Sequence, residues 1–136
     1  MAALTDFLEA ALIGHLFRGV PYTAPTTLYV GLLTAAPGEA AAGTEVASGG
    51  YARVAVANSA VQWSAPVGGN GTTSNVNAVA FPTPAAGWGL VSHFAVYDAA
   101  SAGNLLWYSA LTAAKTINSG DTVSFAAGTL SLQIDN

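Results

Sequence analysis

The side chains that could ligate a metal or act as a general base are few in this sequence. It holds two histidines, His15 and His93, and they form no HxH or HxxxH pair. Helix packing for His15 and a partly buried, hydrogen-bonded imidazole for His93 are the favoured interpretations. The chain has no cysteine, which excludes disulfides and thiolate ligands. We therefore predict no metal site and no cofactor.

Nucleophilic and acid–base chemistry also lacks the residues it needs. No serine lies in a GxSxG elbow, and Asp98 follows His93 by five residues in one predicted strand, which puts their side chains on opposite faces. Glu39 and Glu45 flank an Ala/Gly loop that would not hold two carboxylates at the fixed separation that glycoside hydrolysis requires. We interpret both as solvated loop charges, with an ion pair to Arg53 as the alternative for Glu45. The sequence indicates that the protein is not an enzyme.

Aromatic side chains are the remaining candidates for ligand binding. The three tryptophans and five tyrosines fall mostly in alternating strands, where burial in the core or at a subunit interface is the favoured interpretation. Trp88 is the exception, because it stands between Gly87 and Gly89 in a predicted loop. It is the one residue predicted to face a ligand, and a sugar is the ligand that such an aromatic platform would stack against.

An apolar helix is predicted within residues 1–19. Thr5 is a suitable N-cap, and Arg18, Gly19 and Pro21 form a stop signal. Apolar residues occupy nearly every side of the helix, so we expect its own sheet to cover one side and another subunit to cover the other. The residues predicted to form this oligomer or docking interface are Leu4, Phe7, Leu8, Leu12, Ile13, Leu16 and Phe17.

The remainder of the chain, residues 26–136, has the pattern of a β-sandwich. Short apolar or alternating runs are separated by Gly, Pro, Ala and Asn clusters, and residues 118–121 read as a tight turn that contains Gly120. The expected fold is a single, mainly β domain: an antiparallel β-sandwich of about seven to eight strands with one N-terminal α-helix. Strands are predicted at residues 27–34, 51–57, 75–81, 90–98, 104–111, 122–126 and 129–135.

The charge content restricts the partners. Ten of 136 residues are charged, whereas typical usage of about 25% would give roughly 34. Arg18, Arg53 and Lys115 are too few to displace the counterions of a nucleic acid. The N-terminal helix has Asp6 and Glu9 where a signal peptide needs basic residues, and it is too short for a membrane span. We therefore expect neither nucleic acid nor membrane as a partner, and a charge-poor surface is best explained by protein partners that cover it.

Several motifs are similar to those of a known group of proteins. They are HLFRGVPY at 15–22, LYVGLLTAAP at 28–37, GTEVASGGYARVAV at 43–56, VAFPTPAAGWGLVSHFAVYDAASAGNLL at 79–106 and KTINSGDTVSFAAGTLSL at 115–132. In this order they resemble the small tail-fibre-like or minor virion proteins of tailed bacteriophages. The resemblance implies a β-rich building block of the virion, assembled in the cytoplasm of the host bacterium, and it transfers no catalytic residue. The chain has no heptads, no collagen-like repeat and no shaft, so it does not form a long fibre by itself.

The expected function is that of a structural virion protein that associates with itself and docks onto a larger lattice, most simply as part of the tail or its fibres. The expected partners are other virion proteins and further copies of the chain, in a cyclic oligomer such as a trimer. Two alternatives stay open. One is a decoration or cement protein of the capsid, and the other is a module that binds host-surface glycans through Trp88.

Overall fold

One helix precedes a mainly β fold in the computed structural model, which describes residues 3–40, 42–69 and 71–134. The helix α1 spans Asp6–Phe17. The strands are β1 (Ala3–Leu4), β2 (Thr27–Ala35), β3 (Thr44–Glu45), β4 (Val54–Ala57), β5 (Thr72–Ser74), β6 (Val79–Ala80), β7 (Gly89–Tyr97), β8 (Leu105–Ile117), β9 (Ser124–Phe125) and β10 (Ser131–Gln133).

A six-stranded antiparallel sheet forms the larger layer. Its order is β1-β8-β7-β2, and β3 and β4 both pair with the remaining edge of β2. The central pair, β2 and β7, is aligned from Tyr29 opposite Tyr97 to Leu33 opposite His93. Each of these two strands has a run of four buried residues, as expected for strands that are covered on both faces.

Two short antiparallel ribbons close one face of this sheet. One ribbon pairs β6 with β9, and the other pairs β10 with β5. Leu130 and Leu132 from the second ribbon belong to the same buried cluster as Val30 and Phe94 of the large sheet. From the first ribbon, the Phe125 ring meets the Phe94 ring edge to face, with 5.9 Å between centroids. The prediction of an antiparallel β-sandwich with one helix is confirmed.

The N-terminal helix starts later than its apolar spacing suggests. Leu4 was predicted to lie in the helix interface, but it belongs to β1, pairs with Trp107 and is buried. The physical reason is the position of Thr5, which is the N-cap as predicted and is itself buried. Its hydroxyl donates to the Leu105 carbonyl at 2.6 Å, so the residues before α1 are held on the edge of β8.

Three internal strands are shorter than predicted. The run at 51–57 forms a strand only over Val54–Ala57, the run at 75–81 only over Val79–Ala80, and the run at 122–126 only over Ser124–Phe125. The buried Asn75 amide explains the second case, because it donates to the Asn77 and Ala126 carbonyls and accepts from the Leu130 amide. These bonds replace strand pairing with a side-chain link to the segment after β9.

The last predicted strand, residues 129–135, includes β10 but extends beyond it on both sides. Leu130 and Leu132 are buried as expected, whereas Ile134 is exposed and Asp135 lies outside the described residues. The short strands β1, β3 and β5 were not predicted, since a pair or triplet of residues carries no alternation signal.

Candidate functional site

Hydrogen bonds fix both ends of the helix α1. At the beginning, the Leu8 amide donates to the Thr5 hydroxyl, and the Asp6 amide donates to the Glu39 carbonyl. At the end, the amides of Arg18 and Val20 both donate to the Gly14 carbonyl. The stop signal predicted at Arg18 is confirmed, because α1 ends at Phe17 and Arg18 is its C-cap.

One side of α1 is an uncovered apolar surface. Of the seven residues predicted for an interface, Leu4 is buried and Leu8 and Leu12 are half-buried. The other four are exposed, with exposed fractions of 41% for Phe7, 54% for Ile13, 68% for Leu16 and 81% for Phe17. We call Ile13, Leu16, Phe17 and the small Ala10 between them the helix face, since all four are exposed on the same side. Such exposure of large apolar side chains on one side of a helix marks an interaction surface.

The sequence analysis missed Val20, which follows the helix and extends this surface. Its side chain is 52% exposed, and its position beside Gly14 places it next to the last turn. A valine just after a helix-ending glycine was the available signal, because an apolar residue there commonly packs back on the last turn.

Charges lie at the two ends of α1. Asp6 and Glu9 are exposed in the first turn, the exposed Glu39 is bonded to that turn through its backbone, and the exposed Arg18 caps the last turn. None of these four enters an ion pair among the described residues, where the one salt bridge joins Arg53 and Glu45. Glu9 and Arg18 are about two and a half helical turns apart, so they lie on opposite sides of the helix.

Trp88 was predicted to face a ligand, and the structure corrects this prediction. Its side chain is 4% exposed, and its indole N–H donates to the Gly49 carbonyl at 3.0 Å. The ring packs edge to face against Tyr51 at 5.4 Å and against Phe81 at 6.4 Å between centroids. The flanking glycines let the chain turn the indole inward, so the ring is a core element and offers no platform to a sugar.

The Glu45–Arg53 ion pair, which the sequence analysis held as an alternative, is present and half-buried. The guanidinium donates to both carboxylate oxygens at 2.8 Å, and its remaining nitrogen donates to the Ala99 and Ala102 carbonyls. It also lies 3.4 Å from the centroid of the Tyr97 ring. All three guanidinium nitrogens are satisfied within the chain, which favours a structural role that links β3 and β4 to the turn after β7.

Two tyrosines complete this polar cluster. The Tyr51 hydroxyl donates to Glu45 at 2.7 Å and accepts from the Leu32 amide at 2.9 Å. The hydroxyl thus bonds to β2 at a position between the residues that pair with β3 and those that pair with β4. Burial, with the bond to Glu45, raises the pKa of Tyr51, and burial raises the pKa of Tyr97 to about 12. Both phenols therefore stay neutral at ordinary pH, and neither is poised for proton transfer.

The two histidines lie on different elements, His15 on α1 and His93 on β7. His15 Nδ1 accepts from the Tyr22 amide at 3.2 Å, which fixes the segment after α1 rather than packing the helix. His93 is half-buried and hydrogen-bonded to Ser92, as predicted, and burial lowers the pKa of its imidazole.

Within the described ranges, no three His, Cys, Asp or Glu side chains come close enough to form a metal site. No helix in those ranges is long and apolar enough to cross a bilayer.

A cavity of about 210 Å³ lies between β8 and β9. Val91, Leu111 and Phe125 form much of its wall, and Lys115 stands at its edge. Its described lining has one cation, and neither a carboxylate nor an imidazole, so it holds no acid–base pair.

A small β-sandwich with an uncovered apolar helix face has the kind of surface that binds other proteins. Comparison with known families then identifies the group. Residues 3–133 match the family model described as Podophage GP4 fiber I protein gp80, so the chain belongs to this family of phage fibre proteins. This confirms the resemblance seen in the motifs, and it places the protein in the virion with a structural role in the tail or its fibres. A search among curated proteins found no match.

Proposed function

We propose that the chain is a self-associating structural subunit of a phage fibre, and that it docks onto neighbouring copies and other virion proteins through the helix face. It would fold as one domain in the host cytoplasm before it joins the particle. The observation that carries this proposal is the exposure of Ile13, Leu16 and Phe17 on one side of α1. Membership in a fibre family supports it, because a fibre subunit works through contacts with other subunits.

The size of the helix face is compatible with association. Exposed fractions of 54%, 68% and 81% correspond to about two fully exposed large apolar side chains. Burying each such side chain contributes about 1.5–3 kcal/mol, so the helix face offers about 3–6 kcal/mol per subunit. The loss of translational and rotational freedom costs about 4–15 kcal/mol. Two such surfaces in contact would therefore offset much of that cost. Burial of Phe7 and Val20 at the margins would contribute further stabilisation.

The experiment is a comparison of masses in solution. Multi-angle light scattering after size-exclusion chromatography should find the wild-type chain as an oligomer and the Phe17→Asp variant as a monomer. Val61→Asp is the matched control, because Val61 is 72% exposed and lies outside α1. It should leave the oligomer intact, and circular dichroism should show all three proteins folded. A monomeric wild type, or an oligomer that survives Phe17→Asp, would contradict self-association through this face.

Docking onto the virion needs a second measurement. Particles produced with the Phe17→Asp variant should lack this subunit, while particles with Val61→Asp should retain it at the wild-type level. Immunogold labelling of the retained subunit should mark the tail or its fibres. Label over the capsid would favour the decoration role instead.

The glycan-binding alternative has lost the residue on which it depended. Trp88 was its one predicted contact, and that ring is enclosed by Gly49, Tyr51 and Phe81. No second function is proposed.

A further inference from the structure

The cavity between β8 and β9 owes its space to an irregularity in the pairing of β7 with β8. Between the Val91–Lys115 pair and the His93–Ala110 pair, β7 advances by two residues and β8 by five. The extra residues of β8 leave the ladder, as in a β-bulge. Part of this looped-out segment, residues 111–113, lines the cavity, which has a volume of about 210 Å³.

The same pairing brings Lys115 to the interior face of the sheet. Residues directly opposite each other in an antiparallel pair have their side chains on the same face. Val91, which pairs with Lys115, is buried in the main core cluster together with residues of the β6–β9 ribbon. Lys115 therefore projects from the face that this ribbon covers, and it is exposed where it lines the cavity.

The cavity has an apolar floor and a polar rim. Leu32, Val91 and Ile117 in its lining are buried, so they form the floor. The polar residues of the lining are all exposed, so they form the rim, and they are Thr112, Lys115, Thr122 and Ser124. A ligand that fits must therefore place an apolar group inward and a polar group outward.

The charge at the rim determines which polar group fits. Lys115 is the one charged residue of the described lining. The carboxylate nearest to it in sequence, Asp121, accepts from the Asn118 amide at 2.8 Å. Among the residues that the structure describes, the single salt bridge joins Arg53 and Glu45. The Lys115 ammonium is therefore available to an anion.

We propose that this cavity binds a small monocarboxylate with an apolar tail, and that Lys115 holds the carboxylate at the rim. A cavity of about 150 Å³ with aliphatic and aromatic walls holds one benzene molecule. The larger volume here admits a short substituent on such a ring. Phenylacetate therefore has a suitable size, with its ring beside Val91 and Phe125 and its carboxylate at Lys115. The site is separate from the helix face and does not depend on self-association.

Lys115 has a simpler role within the fold, from which the test must separate ligand binding. An inward-pointing charge on an edge strand prevents another strand from pairing there. In the described part of the chain, β1 pairs with β8 only at Trp107 and Tyr108, so the segment of β8 around Lys115 is an edge. If Lys115 only protects this edge, its removal changes the association of the chain and leaves ligand binding unaffected.

The experiment is a titration of the ¹⁵N-labelled full chain with sodium phenylacetate, followed by amide chemical shifts. The shifts should saturate with a millimolar dissociation constant and cluster at residues 111–117 and 122–125. Lys115→Met keeps an aliphatic stem without the charge, and it should raise the dissociation constant at least about threefold. Arg18→Met is the matched control, because it removes a cation outside the cavity, and it should leave the constant unchanged.

A matched ligand and a matched pair of cavity variants complete the design. Phenylacetamide has the same shape without the charge, so the wild type should bind it at least about threefold more weakly than phenylacetate. Lys115→Met should bind both ligands equally. Ala113→Phe adds a ring to the lining and should abolish binding, whereas Ala114→Phe, at an exposed residue outside the lining, should not.

Equal affinity of the wild type and Lys115→Met for phenylacetate would overturn the proposal, and so would equal binding of the amide. Shifts from the wild type that do not saturate at about 50 mM ligand, or that scatter over the surface, would also overturn it. Light scattering reports the edge role: association of Lys115→Met with unchanged phenylacetate binding would assign Lys115 to that role alone. Circular dichroism confirms that each variant is folded.

Discussion

Replacing Trp88 with alanine should strongly destabilise the fold, although this residue follows a proline- and glycine-rich stretch that resembles an exposed loop. The indole is 4% exposed and packs edge to face against the Tyr51 and Phe81 rings. Its N–H donates to the Gly49 carbonyl, which also accepts from the Ala85 amide. The variant therefore removes a large core side chain and one hydrogen bond together.

The two losses can be estimated separately. Truncation of a buried tryptophan to alanine costs about 3–5 kcal/mol. The Gly49 carbonyl keeps its bond from the Ala85 amide at 2.8 Å, so loss of the indole donor adds only the net value of one hydrogen bond, about 0.5–1.5 kcal/mol. Trp88→Ala should therefore lower the free energy of unfolding by about 4 kcal/mol or more. Trp88→Phe keeps a ring in the core but lacks the donor, so loss of this hydrogen bond should cost about 0.5–1.5 kcal/mol. Domains of this kind are stable by about 5–15 kcal/mol, so the alanine variant should lose a large part of the total.

Urea denaturation followed by circular dichroism measures both variants without relying on tryptophan fluorescence. The comparison with the wild type is made at one protein concentration, because association stabilises the folded chain by mass action. Val61→Ala, at an exposed apolar position, should change the free energy of unfolding by no more than about 0.5 kcal/mol. If Trp88→Ala lost less than about 1 kcal/mol, the indole would not be the core element described above.

Other predictions concern the core, a turn and the buried tyrosines. Phe94→Ala should cost about 3–5 kcal/mol in urea denaturation, since the ring is 5% exposed; a loss below that range would contradict its close packing. Gly120→Val should lower the melting temperature, because Gly120 has a φ of 82° that valine adopts only under strain; unchanged melting would refute that reasoning. Gly31→Ala should destabilise the polar cluster, because a Cβ there would lie 2.8 Å from the Tyr51 hydroxyl; a melting curve equal to that of the wild type would contradict this close approach. Burial raises the pKa of Tyr97 to about 12 from 10.0, so the unfolded chain loses its proton first and stability should fall as pH rises from 10 toward 12. Tyr97→Phe should flatten that fall in the measured unfolding free energy, and an equal slope in both proteins would contradict the assignment.

Much of the secondary structure could be read from local patterns. The helix cap at Thr5, the stop at Arg18 and the long strands β2 and β7 all agree with the sequence, because each depends on neighbouring residues alone. The failures concern segments whose partners are distant. Asn75 is the first residue of a predicted strand, and its bonds to residues more than 50 positions away keep it out of one. Leu4 becomes part of a strand because β8 lies beside it.

The sequence by itself determined the class of fold, the absence of cysteine chemistry and the presence of an apolar helix, because composition and periodicity carry that information. Its motifs also indicated a phage structural family, which the match over residues 3–133 establishes. Tertiary structure alone decided which side of each element is covered. It buried Trp88 and Leu4 and left Phe17 and Leu16 in solvent, although all four are equally apolar in the sequence. Burial is a property of what the rest of the chain places against a residue, and that depends on contacts that no local pattern contains.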